Sequence, residues 1–333
     1  LGNPIMIRAA QIGLGWWGRT ILRELSASEL IRPILAIDPE PAARAGVTDI
    51  ATGECFEEAL NNPDVDAVIL TSPHRFHADQ IVAAAAAGKH VFCEKPICIT
   101  GADAQRAIAA IEKAGLVLGI GHERRHEPAV KELRARLDAG DFGTALVMEG
   151  NFSQDKFLAL PPDNWRLSAT EAPVGPLSAT GIHLVDLAIA LFGPPKNVWA
   201  RLSTRATSFA NGDTLTVTLG FENGATALIS AILATPFDGR LTLYGSQGWM
   251  EIRDREHPES PQGWDVTTRM RGAKPEHRFF PPHPAVRDNL EAFARAIQGI
   301  APYPVTHTEM LANARCFEAI TQSALTGGIV TIR

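Results

Sequence analysis

The 333-residue chain is 45% hydrophobic and 20% charged, enough apolar material for two domains of ordinary size, each with its own core. A formal net charge of −6 and an isoelectric point near 5.9 leave no basic field for nucleic acid, and no Lys/Arg run interleaves with aromatics. The longest apolar stretches, such as 81–88, are far shorter than a membrane span, and no basic region with an apolar core and cleavage site opens the chain, so a cytoplasmic protein is expected.

Apolar runs and helical patterns alternate through the first third: strand 7–13, helix 20–28, strand 31–38, helix 56–62, strand 66–73, helix 77–89, strand 90–96, helix 101–115 and strand 116–122. Continuous apolar strands separated by helices imply a parallel sheet covered on both faces, hence a doubly wound α/β domain over 1–122. Beyond it the pattern changes. A helix over 127–139 and a strand over 143–152 lead through a Pro-containing loop to "GPLSATGIHLVDLAIALFG", 175–193, a helical stretch. Then strands dominate. In "DTLTVTLGFENGATALISAIL" Leu215, Val217 and Leu219 alternate with Thr214, Thr216 and Thr218 before an "ENG" turn, the pattern of an antiparallel hairpin with one covered face. Strands at 239–254 and 264–270 and helices over 285–298 and 307–325 complete a second domain, 123–333, of α+β class with an open, largely antiparallel sheet. The Pro-rich stretches 156–176 and 256–284 are the expected mobile segments.

Four cysteines, Cys55, Cys93, Cys98 and Cys316, form no CxxC pair and read as small buried hydrophobes in a reducing compartment.

The motifs follow from this frame. "GLGWWG", Gly13 to Gly18, fits G-x-G-x-x-G after a strand and before a helix, and Asp38 ends the next strand, as a dinucleotide-binding unit requires. Gly13 allows the tight turn, Gly15 lets the backbone approach a pyrophosphate, and Gly18 lets helix and strand pack closely. Asp38 suits the adenosine ribose hydroxyls and repels a 2′-phosphate; Pro39 and Glu40 supply no compensating cation, so NAD is expected over NADP. "CEKP" places Lys95 at the end of a parallel strand, the edge where such sheets bind ligands. "HERRH", His122 to His126, matches the zinc signature H-E-x-x-H, but that site needs both histidines within one helix, and here a strand and two glycines precede it. No metal is expected. "NWR", Asn164 to Arg166, sets an aromatic plane beside a guanidinium, suited to sugar or nicotinamide contacts. His183 and Asp186 interrupt an apolar helix three residues apart and share a face; they either satisfy one another in a core or border a site.

Together "GLGWWG", "AIDP", "CEKP", "GHERRHEPAV" and "GIHLVDLA" resemble the glucose-fructose oxidoreductase, inositol dehydrogenase and rhizopine-catabolism (Gfo/Idh/MocA) family across essentially the whole chain. The resemblance implies an N-terminal Rossmann domain, a C-terminal α+β domain whose open sheet joins homodimers or homotetramers, and an NAD-dependent oxidoreductase acting on a sugar, cyclitol or related polyol or ketone. Lys95 and His183 fall at its catalytic positions. The cofactor set it implies is Gly13, Leu14, Gly15, Trp16, Trp17, Gly18, Asp38, Ser72, Pro73, His74, His77, Glu94 and Lys95; the substrate set is Arg124, Trp165, Arg166 and Asp186. Two departures stand out. Ala179 replaces an Asp common four residues before the His, where Ser178 and Thr180 could hold a water instead, and Glu123 stands where many relatives carry Asn. Two other functions fit the same motifs: an NAD-dependent glycoside hydrolase that retains its cofactor, and a non-enzymatic NAD sensor.

Overall fold

Short apolar runs that stop at Gly, Asp, Thr or Glu form the strands of the amino-terminal half. In the structure, a computed structural model describing residues 6–332, these are β1 (Ile7–Ile12), β2 (Ile31–Ile37), β3 (Ala51–Gly53), β4 (Ala67–Leu70), β5 (His90–Cys93) and β6 (Leu118–Ile120). Among the described residues they build one parallel sheet in the order β3-β2-β1-β4-β5-β6. The helices between them are α1 (Trp16–Leu25), α2 (Pro41–Arg44), α3 (Phe56–Asn61), α4 (His77–Ala86) and α5 (Gly101–Ala114). Each α5 end has a chemical cause: Thr100 Oγ1 accepts the Asp103 N–H at 3.1 Å, and Gly115 leaves in the left-handed region at φ +67°. The order reverses between β1 and β4, so the carboxyl ends of those strands open a crevice.

The second unit begins with α6 (Pro128–Asp138) and β7 (Ala145–Ser153); a π-helical turn, Leu177–Gly181, runs directly into α7 (Ile182–Phe192). Strands β8 (Pro195–Ser203), β9 (Thr214–Phe221), β10 (Thr226–Ile232), β11 (Asp238–Gly245), β12 (Gly248–Asp254), β13 (Trp264–Met270) and β14 (Glu276–Phe280) follow. Helices α8 (Ala285–Ile297) and α9 (His307–Thr326) and the short β15 (Val330–Thr331) end the chain. Among the described residues the sheet order is β14-β13-β12-β11-β7-β10-β9-β8-β15. All pairings are antiparallel except β10 with β7, where Leu228 stands beside Glu149. The alternation expected in β9 holds: Leu215, Val217 and Leu219 are buried, and the threonines between them lie on the other face.

The chain divides within one residue of the expected 122/123 boundary, but the first unit is not continuous in sequence. Among the described residues, those up to Glu123 form one compact unit together with Pro284–Leu311, while Arg124–His283 and the segment that follows Leu311 form the other. The cause lies in the apolar stripe of α8. Leu290, Phe293 and Ala294 enter the core made by Ile7, Ala9, Ile21, Leu25, Ile69 and Phe92, and the Phe92 and Phe293 rings meet edge-on at 5.7 Å. Asn289 Nδ2 donates to the Ile120 carbonyl at 2.8 Å and Tyr303 Oη donates to Asn289 Oδ1 at 2.6 Å, tying the same segment to β6. Fully burying one such Leu or Phe contributes roughly 1.5–3 kcal/mol.

Candidate active site

In the first unit the glycine turn is shaped by contact. Gly13 sits at φ +91°, and a Cβ there would meet Thr71 at 3.0 Å; a Cβ on Gly18 would lie 2.0 Å from the Gly13 carbonyl. Gly15 is the opposite case, with nothing within 4 Å of an added Cβ. It also caps α1 without a side-chain bond, and no acidic residue lies in the first turn. An open glycine at the positive end of a ten-residue helix fits a pyrophosphate. Asp38 is held beside it: Oδ2 accepts the Leu14 N–H at 2.7 Å and Oδ1 the Glu40 N–H at 2.9 Å. The carboxylate stays half-exposed, with lone pairs left for ribose hydroxyls. One cation near it escapes the sequence reading. Arg44 Nη1 donates to the carbonyls of Asp38 (2.7 Å) and Pro39 (3.0 Å), and its Nη2 pairs with Glu54 at 2.6 Å. Trp16 is exposed and Trp17 half-buried, their rings edge-on at 6.0 Å.

Lys95 follows β5 at the carboxyl edge, joined to Pro96 by a cis peptide bond. Beside it Glu94 is buried, its Oε2 accepting the Lys95 N–H at 3.2 Å. Its carboxylate lies against Gly121, where a Cβ would come within 2.4 Å of both oxygens. Burial raises its pKa to about 7, opposed by Trp17 and Lys95. Pro73 precedes a 3₁₀ turn, His74–Phe76, and Ser72 Oγ donates to Gln80 at 2.5 Å. His77 departs from the expected cofactor contact: it is fully buried, with Nδ1 2.9 Å from the Pro96 carbonyl and Nε2 2.9 Å from the Ser72 carbonyl. Cys93, Cys98 and Cys316 are buried as expected, with burial pushing Cys98 up to about 12. Cys55 is not; it is exposed at the start of α3, where its N–H reaches Glu58. The "HERRH" stretch is a 3₁₀ turn over Glu123–His126, so His122 and His126 do not share an α-helical face. Among the described residues no group of three or more His, Cys, Asp or Glu is placed to hold a metal ion.

In the second unit the helix expected over 175–193 starts differently. Val174, a β-branched residue, sits at φ +52°, a conformation costing on the order of 1–3 kcal/mol. The π turn then widens the first helical residues, a feature common where a side chain must be re-aimed. Ser178 Oγ donates to the Pro173 carbonyl at 2.8 Å and Thr180 Oγ1 to the Phe152 carbonyl at 2.7 Å. Those hydroxyl protons serve the backbone, leaving the hydroxyl oxygens beside Ala179 as acceptors. His183 is 5% exposed and packs on the Phe152 ring at 5.7 Å. Phe152 also faces Phe237 and His257, at 6.2 and 5.6 Å, and Lys156 and Glu259 pair at 2.7 Å. Thus the two Pro-rich loops expected to be mobile are joined by an ion pair.

Two residues of the implied substrate set are buried in ion pairs. Arg124 is 1% exposed and forks inward, Nε to Glu127 at 3.2 Å and Nη2 to Asp254 at 2.8 Å. Asp186 is buried, its Oδ2 and Oδ1 accepting Arg125 Nε and Nη2, each at 2.8 Å. Its carboxylate is turned inward, 2% exposed. Trp165 and Arg166 remain together: Asn164 Oδ1 accepts the Arg166 N–H at 3.1 Å, and the guanidinium lies 4.4 Å above the Trp165 ring. Burial lowers the Arg166 pKa to about 10. Buried Asn211 fastens this loop, Nδ2 donating to the carbonyls of Arg166 (2.7 Å) and Ala172 (2.8 Å). Sequence reasoning missed Asn211, Phe152 and His257. Arg125, in the same quoted stretch as Arg124, was the one partner that charge alone could have signalled.

A parallel sheet in this order, with an uncapped glycine helix and an acid at the end of β2, defines a dinucleotide-binding oxidoreductase. Residues 7–122 match the oxidoreductase family with an NAD-binding Rossmann fold and residues 130–251 match the GFO/IDH/MocA C-terminal domain. The chain belongs to the GFO/IDH/MocA oxidoreductase family. It is 30% identical over 279 residues to 1,5-anhydro-D-fructose reductase of Ensifer adhaerens, covering 81% of each chain. It is 27% identical over 320 residues to D-xylose 1-dehydrogenase (NADP(+)) 2 of Haloferax volcanii, covering 94% of this chain and 96% of that one. The solved aldose-aldose oxidoreductase of Caulobacter crescentus, complexed with glycerol, superposes with a TM-score of 0.86 at 28% identity, covering 98% of this chain and 100% of that one. No helix of the described residues is long and apolar enough to cross a membrane.

Proposed function

We propose that the protein oxidises a carbinol of a sugar, cyclitol or related polyol to the ketone or lactone level, or runs the reverse reduction, with NAD(H). The observation that carries this is the open Gly15 at the amino end of α1, beside an Asp38 carboxylate oriented by two backbone amides. When bound, the nicotinamide supplies the hydride acceptor or donor. Asp38 favours NAD over NADP because a 2′-phosphate beside it meets like charge, and Arg44 is already matched by Glu54. Lys95 and His183 are the side chains proposed to exchange the proton of the reacting oxygen and to stabilise its charge. The names of the relatives support the sugar and polyol class.

A screen of sugars, inositols, sugar acids and their ketones with NAD(H) and NADP(H), read at the nicotinamide absorbance, tests both halves of the proposal. Turnover of such a substrate with NAD(H) in preference to NADP(H) supports it. Absence of turnover across the screen refutes the substrate class, and tighter NADP(H) binding refutes the role of Asp38. A homodimer or homotetramer through the open sheet face is proposed with it, because Trp199 and Leu228 are 39% and 40% exposed on the face away from the buried Leu and Val residues. Light scattering that finds a monomer overturns that part.

A further inference from the structure

We infer that His77 is a positioning residue which holds the Ser72 turn and the Lys95–Pro96 segment in one register. The inference rests on the nicotinamide reading above, in which Ser72 lies on the cofactor side and Lys95 carries the chemistry.

The backbone ladder between β4 and β5 ends at Leu70 and Cys93, after which the Glu94 N–H reaches the Leu70 carbonyl at 2.9 Å. Beyond that point the two segments part, and the imidazole of His77, the first residue of α4, spans them. Its Nδ1 lies 2.9 Å from the Pro96 carbonyl and its Nε2 2.9 Å from the Ser72 carbonyl. The ring is 0% exposed, so no water can take the place of either partner without the core opening. Both contacts meet backbone atoms, and backbone position is what they transmit: one end sets where the Lys95 amine starts, the other where the turn after β4 lies. Ser72 adds a second tie, through Oγ to Gln80 farther along α4.

A neutral imidazole carries one N–H, whereas two carbonyls face this ring; both are donated to only by the imidazolium. Burial pushes the pKa of His77 down, and the carbonyl contacts oppose that shift. Each nitrogen can be kept separately. An Asn amide reaches the place of Nδ1 and keeps the bond to Pro96; a Gln amide reaches the place of Nε2 and keeps the bond to Ser72.

The test compares His77→Asn and His77→Gln in the full-length protein. NADH affinity is read by fluorescence titration without substrate, and the hydride-transfer rate by single turnover with a substrate found in the screen. His77→Asn is expected to lose about tenfold in NADH affinity, more than it loses in rate; His77→Gln is expected to lose about tenfold in rate, more than in affinity, the scale of one buried hydrogen bond. A residue that serves packing alone lowers the melting temperature in both variants and moves both constants alike, and that result overturns the assignment. If either variant fails to fold, the imidazole ¹⁵N spectrum of the wild-type protein replaces it. A slowly exchanging His77 N–H that shifts on adding NADH supports the bridge, and an imidazole indifferent to NADH overturns it. Wild-type protein that binds neither NADH nor NADPH overturns the nicotinamide reading and this inference together, whereas binding with uncrossed variants overturns the inference alone.

Discussion

Replacing Glu94 by Gln removes a carboxyl whose burial raises its pKa from 4.5 to about 7. Because the folded-state value is the higher one, its contribution to stability is present in full below 4.5, where the group is protonated in both states. It is lost as pH rises through about 7, since the folded protein must then either hold a buried charge or keep a proton the unfolded chain releases. The shift is 7 − 4.5 = 2.5 units, which at about 1.36 kcal/mol per unit is about 3 kcal/mol. Glu94 is 7% exposed, so solvent screens little of this. Gln preserves the shape and an oxygen able to accept the Lys95 N–H, but it has no proton to lose. Hydrogen exchange at the amides of β4 and β5, corrected for intrinsic rates and compared at pH 4 and pH 8, reads the opening free energy of the first unit. From pH 4 to pH 8 the wild type should lose about 3 kcal/mol relative to Glu94→Gln. A difference that stays constant over this range, or that moves in favour of the wild type at pH 8, refutes the dominance of burial over the neighbouring Lys95.

The two glycines of the turn should separate binding from folding. Gly15→Ala should leave the melting temperature within a degree or two, since its Cβ meets nothing, yet weaken NADH by about tenfold or more by standing in the pyrophosphate approach; Gly18→Ala, aimed at the Gly13 carbonyl, should lower the melting temperature clearly. Asp254→Asn strips Arg124 of a buried carboxylate and should cost about 3–5 kcal/mol in denaturant unfolding of the second unit, with Asp254→Ala no milder. Lys95→Met and His183→Asn should each lower turnover by about a hundredfold or more; for His183→Asn, NADH affinity should hold, and an early-melting but active protein would mark this His as structural.

Five strands of the parallel sheet were legible because they are short, mainly apolar runs, and β9 because Leu215, Val217 and Leu219 alternate with threonines; β3 was not, its Ala51 and Thr52 being exposed. Strand β8 was not, since Lys196, Asn197 and Arg201 break its apolar pattern on the exposed side, and β14 carries hardly a buried residue. Local pattern shows that α8 has an apolar face but not which core receives it; that choice is made by Phe92, about two hundred residues earlier in the chain. The glycine turn and Asp38 were readable because their spacing is itself the chemistry. By contrast, Arg124 and Asp186 looked available for substrate because nothing near them in sequence reveals Asp254, 130 residues from Arg124, or Arg125, 61 residues from Asp186. Nor does local pattern reveal the π turn, whose Thr180 hydroxyl donates to the Phe152 carbonyl 28 residues earlier.

The return of α8 to the first unit also gives the protein a timetable. During synthesis the six parallel strands leave the ribosome early, yet the side chains that close their core, Leu290 and Phe293, follow only after the whole stretch 124–283. At roughly 5–20 residues per second that delay is on the order of ten to thirty seconds, in which Phe92 and its neighbours lack their cover. A chain released at residue 122 never receives it, so the first 122 residues expressed alone should be sticky and a natural client for chaperones, whereas a fusion that supplies 284–311 in trans or through a linker should restore a closed core.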